Sequence, residues 1–293
     1  MKISKIWFLC AALFLASSPT NANEIYQWND VTLDAIRTAR LTPPFSSRAL
    51  AMVHIAMFDA VNAIEKRYEP YLGMIPHSRG LSTELAAASA ARTVLVNLMP
   101  LQKYAFERVL DSTKERLKAH PKTEESLKLG HEYAAAMLLL RHEDAPFMES
   151  AVNYVMEPAP GKWVPTLPTF ESPLVPKWGQ MQPFALQKGD QFRSSPPPAL
   201  DSETYRKDLT ETFSLGAKAS AVRTPEQTEI AKFWADGSGT YTPPGHYNIL
   251  ARTLSAQRSA AADLLESAHM SVSYTHLRAH ETKANLVCRL LLE

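Results

Sequence analysis

Residues 47–64 read SRALAMVHIAMFDAVNAI, and this run decides the fold class. Ala49, Leu50, Met52, Val53, Ala56, Met57, Ala60, Val61 and Ile64 return every three or four residues, the period of a helix with one buried stripe. Many of these positions are alanines, so the pattern predicts a helix that approaches its neighbours closely. Ser46 or Ser47 offers an N-cap, and Tyr68-Glu69-Pro70-Tyr71 closes the helix.

On its N-terminal side, Asn29 or Asp30 can cap a short helix running to about Arg40, which Thr42-Pro43-Pro44 stops. On its C-terminal side, Ser82 caps a helix to Met99, ended by Pro100 and supported by the alanine-rich run Leu85 to Ala91. Leu101 to Ala119 and Glu124 to Arg141 give two more helices, separated by Pro121. The short links predict an antiparallel bundle over residues 23–145. No strand pattern and no internal repeat competes with this all-α reading.

Residues 146–200 are different in kind. They hold 11 of the 21 prolines, which fix φ and remove backbone donors. Trp163, Phe170, Trp178, Phe184 and Phe192 make the segment too aromatic for a solvated linker, so an irregular strap packed on the bundle is expected. Helices resume over residues 201–271, first from Asp201 to Leu215. Thr224 then stands as an N-cap, Pro225 at the first helical position and Gln227 as the far half of a capping box. That helix runs to about Ala235 and ends at Asp236-Gly237-Ser238-Gly239. Pro243-Pro244-Gly245 precedes a helix containing Ile249 and Leu250, and a further one starts near Ala260.

The two ends read differently from the body. Residues 1–22 have the build of a signal peptide: Lys2 and Lys5, an apolar run from Ile6 to Ala16, and Thr20-Asn21-Ala22 before Asn23. The run is short for a membrane span, and no other run is long enough, so a periplasmic or secreted protein is expected. Residues 272–293 read VSYTHLRAHETKANLVCRLLLE and resemble translated sequencing adapter, Val272 to Thr282 matching one frame of a common transposase adapter. On that reading His276, His280 and Cys288 carry no chemistry, and the natural sequence is interrupted near Ser271.

The chain of 293 residues carries 31 Lys+Arg against 30 Asp+Glu. Setting aside Lys2 and Lys5 at one end, and Arg278, Lys283, Arg289, Glu281 and Glu293 at the other, leaves 26 basic against 28 acidic residues. A balance this even excludes nucleic-acid binding by bulk charge. Cys10 and Cys288 both fall in the end segments, so residues 23–271 have no thiol for nucleophilic or zinc chemistry.

The histidines are the remaining candidates. His131-Glu132 and His142-Glu143-Asp144 have ligand-type side chains, but eleven residues of helix place them about 16 Å apart. A solvated helix face explains them better than a shared metal does. His54 belongs to the second helix and is expected to be packed, and Asp59 lies five residues on, off its face. Arg48 and Arg67 are expected to pair with carboxylates or cap helix ends.

Residues 233–248 read FWADGSGTYTPPGHYN. This run resembles the FWADG-x-GT-x-TPPGH-[WY]-N block of exported bacterial proteins related to vanadium-dependent haloperoxidases, in the type 2 phosphatidic acid phosphatase superfamily. Residues 47–64 are similar to that family's early helix, RALAMVHAAMYDAVNAI, and Pro183-Phe184-Ala185-Leu186 with Gly189 to Arg193 resembles its linking strap. The resemblance spans about residues 25–270.

It implies an all-helical fold of two bundles, of which this chain carries the first half. It also implies an oxyanion pocket for vanadate or phosphate, built from a Lys, two Arg, a Ser-Gly pair and His. The full-length protein would then oxidise halide with peroxide or hydrolyse phosphoesters. The family's pocket motifs, K-x-x-x-x-x-x-RP, PSGH and R-x-x-x-GxH, do not occur in this sequence. Pro243-Pro244-Gly245-His246 imitates PSGH, but Pro244 supplies neither a hydroxyl nor a backbone N–H. His246 is therefore expected to be structural, no residue is assigned a catalytic, cofactor or metal role, and the chain itself is expected to bind no vanadate. The competing expectation is a non-enzymatic helical periplasmic protein that binds a ligand or partner along the aromatic strap.

Overall fold

Asn23 opens the first helix, α1 (Glu24–Thr38), with its side-chain oxygen accepting from the Ile25 and Tyr26 amides. The computed structural model describes residues 23–148, 157–258 and Ser267. The signal-like and adapter-like ends, and the helix expected near Ala260, lie outside these residues apart from Ser267. Helix α1 starts nearly two turns earlier than the sequence patterning placed it, its cap being Asn23 rather than Asn29 or Asp30. The physical reason is that Ile25, Trp28, Leu33 and Ile36 form its buried face, while Asn29 is spent inside the core rather than as a cap.

Helix α2 (Pro43–Glu65) also begins earlier, at Pro43 rather than after Ser46 or Ser47. The two prolines that were read as a stop occupy its first turn, where a missing N–H costs nothing and the fixed φ suits a helix. Its next four turns are buried on all sides, from Ala49 to Ala63. It ends with Lys66 left-handed at φ 57°, and Asn62 then fastens the exit. The Asn62 side chain accepts from the Arg67 and Tyr68 amides and donates to the Tyr68 carbonyl at 2.8 Å.

Helix α2 is enclosed by α1, by the third and fifth helices and by the last described one, while the fourth packs on the third. Helix α3 (Thr83–Leu98) is capped by Ser82 as its sequence predicts, followed by α4 (Lys103–Arg116) and α5 (Thr123–Leu140). Among the described residues the contact of α3 with α5 is the tightest between helices. A Cβ added at Gly130 would lie 2.0 Å from the Ala86 carbonyl oxygen. Ala86, Ala87, Ala90 and Ala91 give α3 the small profile that this approach needs. Trp28, Tyr133 and Phe106 supply the bulk of the same core.

A one-turn helix, α6 (Ala145–Met148), follows α5. Residues 157–200 then run without regular helix except for a single turn at Trp178–Gln180. Contact with the bundle is concentrated in the middle of this segment. Val175 and Met181 are buried, Trp178 meets Phe45 edge-on at 5.8 Å, and Phe184 packs on the main core. Trp163, Phe170 and Phe192 face solvent. Helices α7 (Glu203–Gly216), α8 (Pro225–Trp234) and α9 (Thr242–Arg258) complete the described chain. The capping box at α8 is present in both halves, Thr224 with the Gln227 amide and Gln227 with the Thr224 amide. Helix α9 absorbs Pro243-Pro244-Gly245 into its first turn instead of following them. Among the described residues no helix is long and apolar enough to cross a membrane.

Candidate functional site

The sequence block 233–248 folds as the end of α8, a turn and the start of α9, and it is held against α1. Gly245 has no side chain because Leu33 fills that space, 2.8 Å from where a Cβ would stand. Gly239, at φ 91°, has the Arg40 guanidinium against it in the same way. Arg37 lies over the Tyr241 ring, 5.4 Å from its centroid, and Arg252 is ion-paired with Asp30. Leu33, Ile36 and Leu50 form a small second core closed by Tyr241 and Ile249.

Within this block His246 sits at the centre of the contacts. Its Nδ1 is 3.0 Å from Asp236 Oδ2, and its ring packs against Phe233 at 4.8 Å and Trp234 at 5.5 Å, which also meet each other at 5.2 Å. Tyr247 also stacks on the indole at 5.6 Å, its ring 6.3 Å from the imidazole. The carboxylate and the two rings fix the imidazole in one orientation, as packing residues do.

A second polar centre joins α2 to the end of α5 and to the strap. Asp144 Oδ2 accepts from Arg48 Nε at 2.7 Å and from Arg141 Nε at 2.8 Å. All three side chains are buried. Arg48 also donates to the Arg141 carbonyl, and Arg141 donates to the Gln182 carbonyl at 2.9 Å. The Arg141 guanidinium lies 4.1 Å from the centre of the Phe184 ring, whose backbone carbonyl accepts the Tyr71 hydroxyl at 2.5 Å. This is how the strap is fastened: one buried guanidinium serves a carboxylate, a carbonyl and an aromatic face together.

Two further buried groups stand in α2. His54 is fully buried, its Nε2 3.0 Å from Asn29 Oδ1, and burial lowers its pKa to about 4. Asp59 accepts from the Tyr71 and Leu72 amides at 2.9 and 2.6 Å. Those donors favour its ionised form, but burial outweighs them and raises its pKa to about 6. On α1, Glu24 accepts from Trp28 Nε1 and Thr113, and is ion-paired with Arg116. Burial still pushes its carboxyl upward.

A model of the vanadium chloroperoxidase N-terminal domain matches residues 17–182, more than half of the chain. The chain belongs to this family. Among solved structures, one described as the first bacterial vanadium dependant iodoperoxidase is similar with a TM-score of 0.72 and 20% identity. The likeness covers 92% of this chain and 67% of that one, so the chain spans about two thirds of that relative's length. No curated protein matches the chain.

An oxyanion such as vanadate needs converging cations and backbone donors. Two clusters of the described residues bear on that demand. The partner of His246 is a carboxylate, which repels an anion, and Pro244 has no N–H to offer. Arg48 and Arg141 converge, but on Asp144. Among the described residues no three His, Cys, Asp or Glu side chains gather as they would around a metal ion.

Of the residues singled out by sequence, Arg48 pairs with Asp144 and Arg67 with Glu65. Asp144 had stood out only through its neighbours His142 and Glu143, which are exposed. His131 is in reach of Thr93 at the surface. The junction of Arg48 with Asp144 and Arg141 was not legible, because it closes over more than 90 residues of chain.

Proposed function

We propose that this chain is the N-terminal part of an exported vanadium-dependent haloperoxidase-like enzyme. The full protein would oxidise halide with hydrogen peroxide, iodide being the halide named for the structural relative, or hydrolyse phosphoesters. The part seen here would supply the helical scaffold, and vanadate would bind residues contributed by sequence beyond it. The observation that carries this reading is the family match over residues 17–182, together with a fold likeness that leaves about a third of the relative uncovered.

Long, adapter-free reads of the source DNA across codon 271 test the reading directly. The expected result is an open frame continuing into Lys/Arg, PSGH and GxH motifs. A frame that continues with VSYTHLRAHET and then stops would overturn it. For the chain itself, an assay with bromide, peroxide and added vanadate is expected to show no turnover, and vanadate-dependent bromination would contradict the absence of a pocket. Export predicts that the protein recovered from the cell envelope begins at Asn23. An N-terminus at Met1 in that material would remove the signal-peptide reading.

A further inference from the structure

A cavity of about 590 Å³ opens between the end of α5, α6 and the strap, within the size range of small-molecule sites. Its rim is formed where the strap crosses itself, with the Gly179 carbonyl 2.8 Å from where a Cβ at Gly189 would stand. Three properties of the wall specify what it can hold.

The first is a fixed acceptor. Asp144 lines the cavity and is only 3% exposed. Both hydrogen bonds it receives from Arg48 and Arg141 go to Oδ2. Oδ1 takes none from a described residue, so one carboxylate oxygen keeps its lone pairs for an occupant. Two guanidiniums already offset its charge. It therefore suits a neutral hydroxyl donor better than an ammonium group.

The second is a free cation. Lys188 and Arg193 both line the wall. Lys188 is engaged by Asp190 at 3.5 Å, whereas Arg193 makes no ion pair among the described residues. Its planar fork matches a carboxylate. Of the other carboxylates on the wall, Asp190 is taken up by Lys188, and Glu143 is 91% exposed and lies beside His142. The third property is a floor that mixes Phe147 and Met181 with the carboxamide of Gln180, suited to a short carbon chain bearing hydroxyls.

We propose that this cavity binds a small hydroxylated carboxylate, its hydroxyl donating to Asp144 Oδ1 and its carboxylate held by Arg193. The proposal does not rest on vanadate chemistry.

Calorimetric titration of the full chain with gluconate, acetate and glucose at neutral pH tests the proposal. The expected result is saturable gluconate binding, with acetate and glucose each at least about tenfold weaker, because each carries only one of the two recognised groups. Arg193→Gln is expected to weaken gluconate about tenfold while leaving the melting temperature unchanged, since Arg193 is exposed and unpaired. Three outcomes would overturn the proposal: no saturable gluconate binding, acetate binding as tightly as gluconate, or undiminished binding by Arg193→Gln. A loss of binding in Gly189→Ala as well would place the ligand at this rim, whereas full retention there would contradict the location.

Discussion

His54 and Asp59 are five residues apart on one helix, both without solvent contact, and burial drives their pKa values in opposite directions. His54 is neutral in the folded state down to about pH 4, but charges near 6.5 when unfolded. Its contribution is therefore present above pH 6.5 and is lost as pH falls toward 4. Asp59 holds its proton up to about pH 6 in the folded state, against 3.8 when unfolded. Its contribution is present below 3.8 and is lost as pH rises through 6. Each shift is worth on the order of 3 kcal/mol, and the two nearly cancel between pH 4 and 6. Urea melts at pH 4, 5, 6 and 7 separate them. Relative to wild type, Asp59→Asn is expected to tilt stability upward with pH across this window, and His54→Gln to tilt it downward. Parallel curves for all three proteins would show that neither group titrates as its surroundings require.

The same scale holds a test of the strap's fastening. Asp144→Ala leaves Arg48 and Arg141 buried without their shared carboxylate. A loss of about 3–5 kcal/mol is expected in chemical denaturation, with strap residues 181–184 becoming open to proteolysis. A loss below about 1 kcal/mol would mean that water already screens the triad.

At the scale of elements, Gly130 gives a prediction whose sign decides between two effects. Intrinsic propensity favours Gly→Ala in a helix interior by about 1 kcal/mol. The new methyl, however, would stand 2.0 Å from the Ala86 carbonyl oxygen, where backbone rather than a flexible side chain must give way. Packing wins, and Gly130→Ala is expected to destabilise by about 3 kcal/mol. A stabilised variant would mean that α3 and α5 are further apart than described. Helix α8 shows the reverse situation, since Ala231 is its only buried residue and its local capping box carries more of its order. Thr224→Ala is expected to cost α8 about 1 kcal/mol, seen as faster amide exchange over residues 226–234 with little change in the rest of the bundle.

These elements also show what the sequence could disclose. The box at Thr224-Pro225-Glu226-Gln227 was readable because all its parts lie within four residues. The Ser82 cap and the alanine profile of α3 were readable for the same reason. The starts of α1 and α2 were misplaced because each region offers several polar caps, and tertiary burial chooses among them. Asn29 was spent on His54, leaving Asn23 to cap. The cavity beside Asp144 was invisible, since the end of α5 and α6 meet there a strap segment some tens of residues further along the chain.

At the scale of the whole molecule, apolar exposure is unevenly distributed. The bundle of α1 to α5 buries most of its large apolar side chains, with Tyr104 of α4 and Leu139 and Leu140 of α5 exposed, whereas α7 and α8 bury almost none and present Leu209, Phe213, Ile230 and Phe233 to solvent, Phe213 at 81%. On α7 the pair at i and i+4 makes one continuous stripe, and on α8 the pair at i and i+3 makes another. Stripes of this kind are ordinarily covered. If the proposed fragment reading holds, the third of the relative that this chain does not span is what covers them. The chain alone is then expected to self-associate through these stripes, giving a concentration-dependent mass by light scattering after size exclusion. Phe213→Glu combined with Ile230→Glu should restore a monomer without lowering the melting temperature, because neither side chain is buried. A wild-type chain that stays monomeric at high concentration would show that these faces need no cover, and would count against the fragment reading.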